Sequence, residues 1–193
     1  MTPPNKEGRV IGVTDEGLTE EGVREVEQLG EHLKKTRRGP QVIYSGPMRR
    51  HLQTAGGLAN AFGVNFEVQE GLREANYGKY EGARLEVLRG IQYGYDAGAM
   101  KKAGGETPQE IEERVAPVIK NVLRVRSNSV AIVTSALTAC IITQILMGEG
   151  RVLSTAKPLS TGDFHSIQLG RDGDGRTVVF SFEPNVLKPP LKV

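Results

Sequence analysis

The sequence has 193 residues, and its 25 Lys and Arg nearly balance its 23 Asp and Glu, which gives a formal net charge of +2. Nucleic-acid-binding proteins usually carry a strongly basic face, so this balance predicts no nucleic-acid binding. Hydrophobic residues make up 38% and charged residues 25%, proportions typical of a folded globular chain and not of a disordered or fibrous one. We therefore predict a single domain over residues 1–193.

The single cysteine, Cys140, excludes a disulfide within the chain and is compatible with a cytoplasmic location. The three histidines show no metal-ligand spacing, and no glycine-rich nucleotide fingerprint follows a strand, so we predict neither a metal nor a cofactor. Residues 127–148 form an uncharged stretch whose length approaches that of a membrane-spanning helix. Their polar residues instead favour a strand followed by a helix, and no membrane span is predicted.

The first half of the chain alternates helices and strands. Thr19 is a capping residue followed by two glutamates and an apolar helical face, and Gly39 and Pro40 end that helix. A short strand is predicted at Gln41–Tyr44, and Ser45–Pro47 turn the chain into a second helix. Asn65–Val68 is typical of another strand.

In the second half, residues 93–105 are rich in Gly and Ala and predict a loop or lid. Thr107 begins a capping box with Pro at the first helical position, and Pro117 predicts a bend in the helix that follows. The remaining predicted elements are a strand, a helix and a two-stranded hairpin: Val130–Val133, Leu137–Leu146, Phe164–Leu169 and Thr177–Phe182.

This alternation predicts a three-layer α/β/α domain with a mostly parallel central sheet. In such sheets, ligands bind in the loops beyond the carboxyl ends of the strands. Residues that follow predicted strands are therefore the first candidates for a functional site.

Four segments carry a family resemblance. Tyr44–Ala55 resembles a motif in which a strand ends at Ser-Pro and the next helix carries Arg and Gln-Thr-Ala, and Leu72–Gly82 resembles a Leu-Arg-Glu segment that continues to Glu-Gly. Gly104–Thr107 resembles a Gly-Gly-Glu-Ser/Thr helix entry, and Asn5–Thr19 a stretch that ends in Leu-Thr. Together they make the chain similar to the histidine phosphatase (phosphoglycerate mutase-like) superfamily, over nearly its whole length.

The resemblance implies a pocket with a nucleophilic histidine in an Arg-His-Gly motif, a second histidine, phosphate-binding arginines and an acidic proton donor. By motif position, Arg50 and Asn5 correspond to phosphate-binding residues and Glu74 to the proton donor. The alignment places the Arg-His-Gly motif and its first strand before Met1, so the first strand is expected to be missing. Ser135 stands where the second histidine is expected.

No sequence motif identifies a replacement for the two histidines that the resemblance implies. Ser135 is not expected to act as a nucleophile, because a hydroxyl needs an adjacent base and no motif supplies one. His51 follows Arg50 at about 100° around the helix and is predicted to be a packing or surface residue. His165 is the better substitute, although a structural role is its alternative, and His32 is predicted to be solvated.

The leading hypothesis is therefore a noncatalytic domain that binds a phosphorylated small molecule or phosphate through Arg50, or a protein partner. A missing strand would leave backbone groups unpaired, which predicts a homo-oligomer or a partner protein that fills the gap. The first alternative is a phosphatase or phosphomutase acting on a small phosphate ester, with His165 or a partner-supplied histidine. The second is a purely structural subunit.

Overall fold

A short parallel sheet organises the computed structural model, which describes residues 1–87, 97–147, 166–171 and 177–183. Its central strand is β1 (Val42–Ser45), which pairs in parallel with β2 (Phe66–Val68) on one side and with β3 (Val130–Val133) on the other. The strand patterns of the sequence predicted all three. The apolar run of β1 follows from this position, because a central parallel strand is covered on both faces.

In the described part of the chain the sheet is accompanied by the helices α1 (Pro3–Lys6), α2 (Glu20–Lys35), α3 (Arg49–Phe62), α4 (Ala97–Lys102), α5 (Pro108–Val122) and α6 (Ala136–Met147). Short 3₁₀ turns occupy Glu70–Leu72 and Gly78–Tyr80. Within the described ranges, no helix has the length and apolarity needed to cross a membrane.

Alternate residues of β1 pack into two separate cores. Ile43 lies in the cluster formed with α2 and α3, which contains Val26 and Leu58. Tyr44 lies in the other cluster, with Ile111 of α5 and residues of α6. Because successive side chains of a strand point to opposite faces, these two clusters are the two sides of a three-layer α/β/α arrangement, and the predicted fold class is confirmed.

The helix ends follow the predicted chemistry. The Thr19 side chain accepts a hydrogen bond from the backbone N–H of Gly22 at 3.0 Å, and Gly63 ends α3 in the left-handed conformation with φ of 65°. Thr107 and Glu110 form the predicted capping box at the start of α5. Helix α5 continues through Pro117.

Two boundaries differ from the sequence prediction. Residues 97–102, predicted as part of a loop, form α4, because the buried side chain of Met100 anchors this Gly- and Ala-rich segment in the core that contains α5. Residues 93–96 lie outside the described residues. The predicted strand Phe164–Leu169 is observed as β4 (Ser166–Arg171), which pairs in antiparallel fashion with β5 (Thr177–Glu183).

The two sheets have separate hydrogen-bonding patterns. The parallel sheet has the order β2-β1-β3, and β4 pairs with β5. Ahead of β1, the described chain forms α1, α2 and an isolated bridge between Arg9 and Arg84 in place of a strand. The outer edge of β3 has no strand partner among the described residues.

The capping box at α5 gives a stability prediction. The Thr107 hydroxyl accepts from the Glu110 N–H at 3.3 Å, and the Glu110 carboxylate accepts from the Thr107 N–H at 2.9 Å. Thr107→Ala should lower the free energy of unfolding by about 1 kcal/mol, whereas Thr107→Ser should retain most of it. Urea denaturation followed by circular dichroism measures both, and equal midpoints for the Ala variant and the parent would contradict the assignment.

Candidate functional site

The candidate site lies where β1 and β3 end and the helices that follow them begin. After β1, Gly46 and Pro47 lead into α3, and after β3, Thr134 and Ser135 lead into α6. Because the strands are parallel, with Ser45 opposite Val133, the two helix N-termini lie at the same edge of the sheet. This is the edge at which parallel α/β sheets bind ligands.

Arg50 occupies the first turn of α3 and is only 7% exposed. Its guanidinium donates to the carbonyl oxygens of Gly12 at 2.8 Å and Thr14 at 2.9 Å, and its Nε donates to Ser135 Oγ at 3.3 Å. Of the five N–H groups of an arginine, two then remain for a ligand. Burial lowers the pKa of Arg50, and the nearby carboxyl group of Glu74 acts in the opposite direction.

Glu81 fixes the loop of residues 12–14, whose carbonyl oxygens bind Arg50. Its carboxylate accepts hydrogen bonds from the backbone N–H groups of Gly12 at 3.0 Å and Val13 at 3.2 Å, and from the Thr14 hydroxyl at 3.1 Å. A side chain at Gly12 would lie 2.0 Å from the carbonyl oxygen of Ala75, so only glycine fits there. Sequence reasoning did not assign Glu81 a role, although it belongs to the Glu-Gly pair of the quoted motif.

His51 is 3% exposed, and its Nε2 lies 2.6 Å from Ser135 Oγ. The sequence offered no base for Ser135, and here the structure corrects the expectation. The imidazole fits because residue 46 is glycine: a Cβ at Gly46 would lie 2.2 Å from His51 Nδ1. Arg50 and His51 thus reach the same hydroxyl although they leave the helix in different directions, since Ser135 lies between them.

The imidazole of His51 is neutral at ordinary pH. Burial, assisted by the charge of Arg50, lowers the pKa of His51 to about 3. Its Nδ1 is buried and has no hydrogen-bond partner among the described residues. A neutral imidazole carries one N–H and one free nitrogen lone pair, so Nε2 can accept the hydrogen of the Ser135 hydroxyl.

Glu74 is 3% exposed and lies against the N-terminus of α6. Its carboxyl oxygens accept from the backbone N–H groups of Ala75 at 2.8 Å and of Leu137 and Thr138 at 3.3 Å each. Burial raises the pKa of Glu74, and the backbone N–H groups oppose that rise. A carboxyl group with a raised pKa can hold a proton for transfer.

The other predicted site residues do not join this cluster. The Asn5 side chain forms hydrogen bonds with the Thr2 hydroxyl and the Arg9 carbonyl, on either side of α1, and not with Arg50. His165 lies outside the described residues, and His32 is half-buried on α2. In the described ranges, no group of three His, Cys, Asp or Glu side chains could hold a metal ion.

The cluster combines four chemical functions at one edge of the sheet. Arg50 supplies fixed positive charge, and the N-terminus of α6 adds a partial positive charge that favours anions. Ser135 supplies a half-exposed hydroxyl beside the imidazole of His51, and Glu74 supplies a buried acid. This set of groups is suited to binding an anionic ester and transferring protons to it.

Comparisons with known proteins identify the family of the chain. The family model of the histidine phosphatase superfamily (branch 1) matches residues 1–181. A putative phosphoserine phosphatase 2 of Hydrogenobacter thermophilus is 30% identical over 153 residues, which cover 76% of this chain and 74% of that protein. A probable phosphoglycerate mutase of Salmonella paratyphi C is 28% identical over 156 residues, which cover 74% of this chain and 69% of that protein.

A solved structure supports the fold. The phosphoserine phosphatase of Entamoeba histolytica in complex with 3-phosphoglyceric acid superposes with a TM-score of 0.73 at 21% identity, covering 94% of this chain and 91% of that one. At this identity the likeness concerns the fold. The family resemblance found in the sequence is confirmed by the family model and by the relatives.

The buried His51 predicts a pH dependence of stability. Its pKa of about 3 in the folded protein is below the ordinary value of 6.5, so between these values the unfolded chain binds a proton that the folded chain does not. The contribution of His51 to the free energy of unfolding should therefore fall by about 1.4 kcal/mol per pH unit as the pH drops through this window. Above pH 6.5 it is fully present.

Urea denaturation of the parent and of His51→Gln from pH 7 down to pH 4 measures this contribution. The difference in unfolding free energy between the two should shrink as the pH falls, because Gln does not titrate. Glu74 titrates in both proteins and largely cancels in the comparison. A difference that stays constant over the range would contradict the buried neutral imidazole.

Proposed function

The chain belongs to the histidine phosphatase superfamily, and we propose that it binds small phosphate monoesters and acts on them as a phosphatase or phosphomutase. The observation that carries the proposal is the meeting of Arg50, Ser135 and Glu74 at the shared start of α3 and α6. A cation, a hydroxyl and a buried acid at one sheet edge are what binding and cleavage of a phosphate ester require.

Arg50 is the proposed anchor for the phosphoryl group. Its two unused N–H groups supply positive charge at a buried position, where electrostatic attraction is stronger than in water. The loop of Gly12 and Thr14 fixes the guanidinium in place before a ligand arrives. The cost of ordering the side chain is therefore met on folding and not on binding.

Glu74 is the proposed proton donor. An alkoxide is a poor leaving group, so cleavage of an alkyl phosphate needs a proton on the departing oxygen. Burial raises the pKa of Glu74 and favours the protonated form that this role needs. Its carboxyl group accepts from the backbone N–H of Leu137, two residues after Ser135, and Arg50 contacts the Ser135 hydroxyl.

The relatives indicate a substrate class to test first. The Hydrogenobacter relative is named as a phosphoserine phosphatase, and the Entamoeba structure contains 3-phosphoglyceric acid. Phosphoserine and 3-phosphoglyceric acid are both small phosphate esters that also carry a carboxylate. We extend this class, small phosphorylated organic acids, to the present chain as part of the proposal.

A second candidate function is phosphate binding without turnover. Two observations favour it: Ser135 stands where the family resemblance expects a histidine, and Arg50 spends three of its nitrogens on internal partners. Such a domain would act by holding a phosphorylated ligand, or as a homo-oligomer or with a protein that pairs with the outer edge of β3. Turnover of a phosphate ester decides between the two candidates.

Arg50 and its neighbour Arg49 form a matched pair for testing the anchor, because Arg50 is buried whereas Arg49 is exposed. Arg50→Ala should weaken binding of inorganic phosphate roughly 10- to 100-fold, since it removes charge-assisted hydrogen bonds. Arg49→Ala should leave the affinity unchanged. Isothermal titration calorimetry measures both, and equal losses in the two variants would show a nonspecific charge effect and contradict the anchor.

Glu74→Gln tests the proton donor. Its kcat for O-phosphoserine should fall by about 10²- to 10⁴-fold, whereas p-nitrophenyl phosphate should be affected far less, because its leaving group departs without a proton. Glu70→Gln, at an exposed carboxylate, is the control. If Glu74→Gln slows both substrates equally, Glu74 supports the structure of the site and does not donate the proton.

A further inference from the structure

The contact between Ser135 and His51 has the form of a nucleophile with its base. We propose that Ser135 Oγ accepts the phosphoryl group of the substrate and that His51 Nε2 takes the proton of the hydroxyl. This inference deepens the proposed function, on which it rests. It assigns to Ser135 the role of nucleophile that the family resemblance gives to the histidine of the Arg-His-Gly motif. It depends on side chains of α3 and of the residue before α6, which are distant in sequence.

The distance between the two atoms is the first support. Ser135 Oγ and His51 Nε2 are 2.6 Å apart, within the range at which a base activates a hydroxyl. The same Oγ lies 3.3 Å from Arg50 Nε. A phosphoryl group held by Arg50 would therefore lie beside the oxygen that attacks it.

Exposure separates the roles of the two residues. Ser135 is a partly exposed residue, whereas His51 is buried and its Nε2 faces the Ser135 hydroxyl. Ser135 also precedes the N-terminus of α6, where negative charge on a bound phosphoryl group is stabilised. His51 is thus placed to move a proton and not to carry the phosphoryl group.

A structural hydrogen bond is the competing interpretation of this contact. Nucleophile and base pairs usually include a third group that orients the base, and in the described part of the chain Nδ1 of His51 has no such partner. The support for the nucleophilic interpretation is therefore the short contact of His51 Nε2 with a Ser135 Oγ that also faces Arg50. Phosphorylation of Ser135 distinguishes the two interpretations.

The proposed reaction balances in two steps. In the first, Ser135 Oγ forms a bond to phosphorus, the bond from phosphorus to the leaving oxygen breaks, Glu74 protonates that oxygen, and His51 receives the serine proton. In the second, water attacks phosphorus, the bond from phosphorus to Ser135 Oγ breaks, a proton of the water passes to the Glu74 carboxylate, and His51 returns its proton to Ser135 Oγ. Inorganic phosphate leaves, and all three residues regain their starting protonation.

The charge of the intermediate supports the proton transfer. A phosphoryl group on Ser135 is negative and adjacent to His51, and a nearby opposite charge favours the protonated imidazole. Burial, the larger cause of the low pKa of His51, and the charge of Arg50 both oppose this. The negative charge of the phosphoserine therefore offsets part of the lowering of the pKa of His51.

Trapping the intermediate tests the inference directly. The full chain would be mixed with p-nitrophenyl phosphate, quenched in acid or at neutral pH, and analysed by peptide mass spectrometry. Phosphoserine survives acid, whereas phosphohistidine is lost in acid and survives only the neutral quench. We expect one acid-stable phosphoryl group on Ser135 that is absent from Ser135→Ala, and an acid-labile group on any histidine would overturn the inference.

Kinetics of variants give an independent readout. Ser135→Ala and His51→Gln should each lower kcat at least 100-fold, and the double variant should be no slower than the worse single variant, because the pair acts as a unit. Ser135→Thr, which keeps a hydroxyl, should regain part of the activity, and His32→Gln should have none of these effects. Melting temperatures check that each variant is folded, and full turnover by folded Ser135→Ala would overturn the inference.

The outcomes distinguish this inference from the proposed function. Turnover and phosphate binding that persist without Ser135 would reject the serine nucleophile and leave the proposed function standing. Phosphate binding by the parent protein without turnover would reject both the nucleophile and the enzymatic proposal and leave the binding candidate. Absence of both binding and turnover in the parent would reject all three.

Discussion

The parallel hydrogen bonding of β1 to β3 brings the starts of α3 and α6 together at one edge of the sheet. Ser45 lies opposite Val133, and the ladder continues one step further, where the Gly46 N–H donates to the Val133 carbonyl at 2.9 Å. The residues that follow β1 and β3 are therefore neighbours. Arg50 and His51 meet Ser135 because of this register, and a slip of the ladder would separate them.

Burial is the second constraint, because it acts on every ionisable group of the cluster in the same sense. It lowers the pKa of Arg50 and of His51 and raises the pKa of Glu74, so each group is pushed toward its neutral form. The result is a site with a neutral imidazole, a carboxyl group that retains its proton more readily and a single strong cation.

Much of the scaffold follows from local chemistry. Thr19, Thr107 and Gly63 mark helix ends by rules that involve only neighbouring residues, and the apolar runs mark β1 and β3. The motif positions of Arg50 and Glu74 also led to the edge where the structure places them. Met100 shows the limit of this reasoning, because one buried side chain turns a Gly- and Ala-rich segment into a packed helix.

The sequence by itself determined the family, the layer architecture, the caps and the placement of Arg50 and Glu74, since each rests on residues close together in the chain or on a motif. Tertiary structure alone decided that His51 faces Ser135, that Glu81 holds the Gly12 loop, and that Asn5 lies apart from Arg50. These contacts join residues far apart in sequence. Their distances depend on strand register and on the space left by Gly46, which no local pattern records.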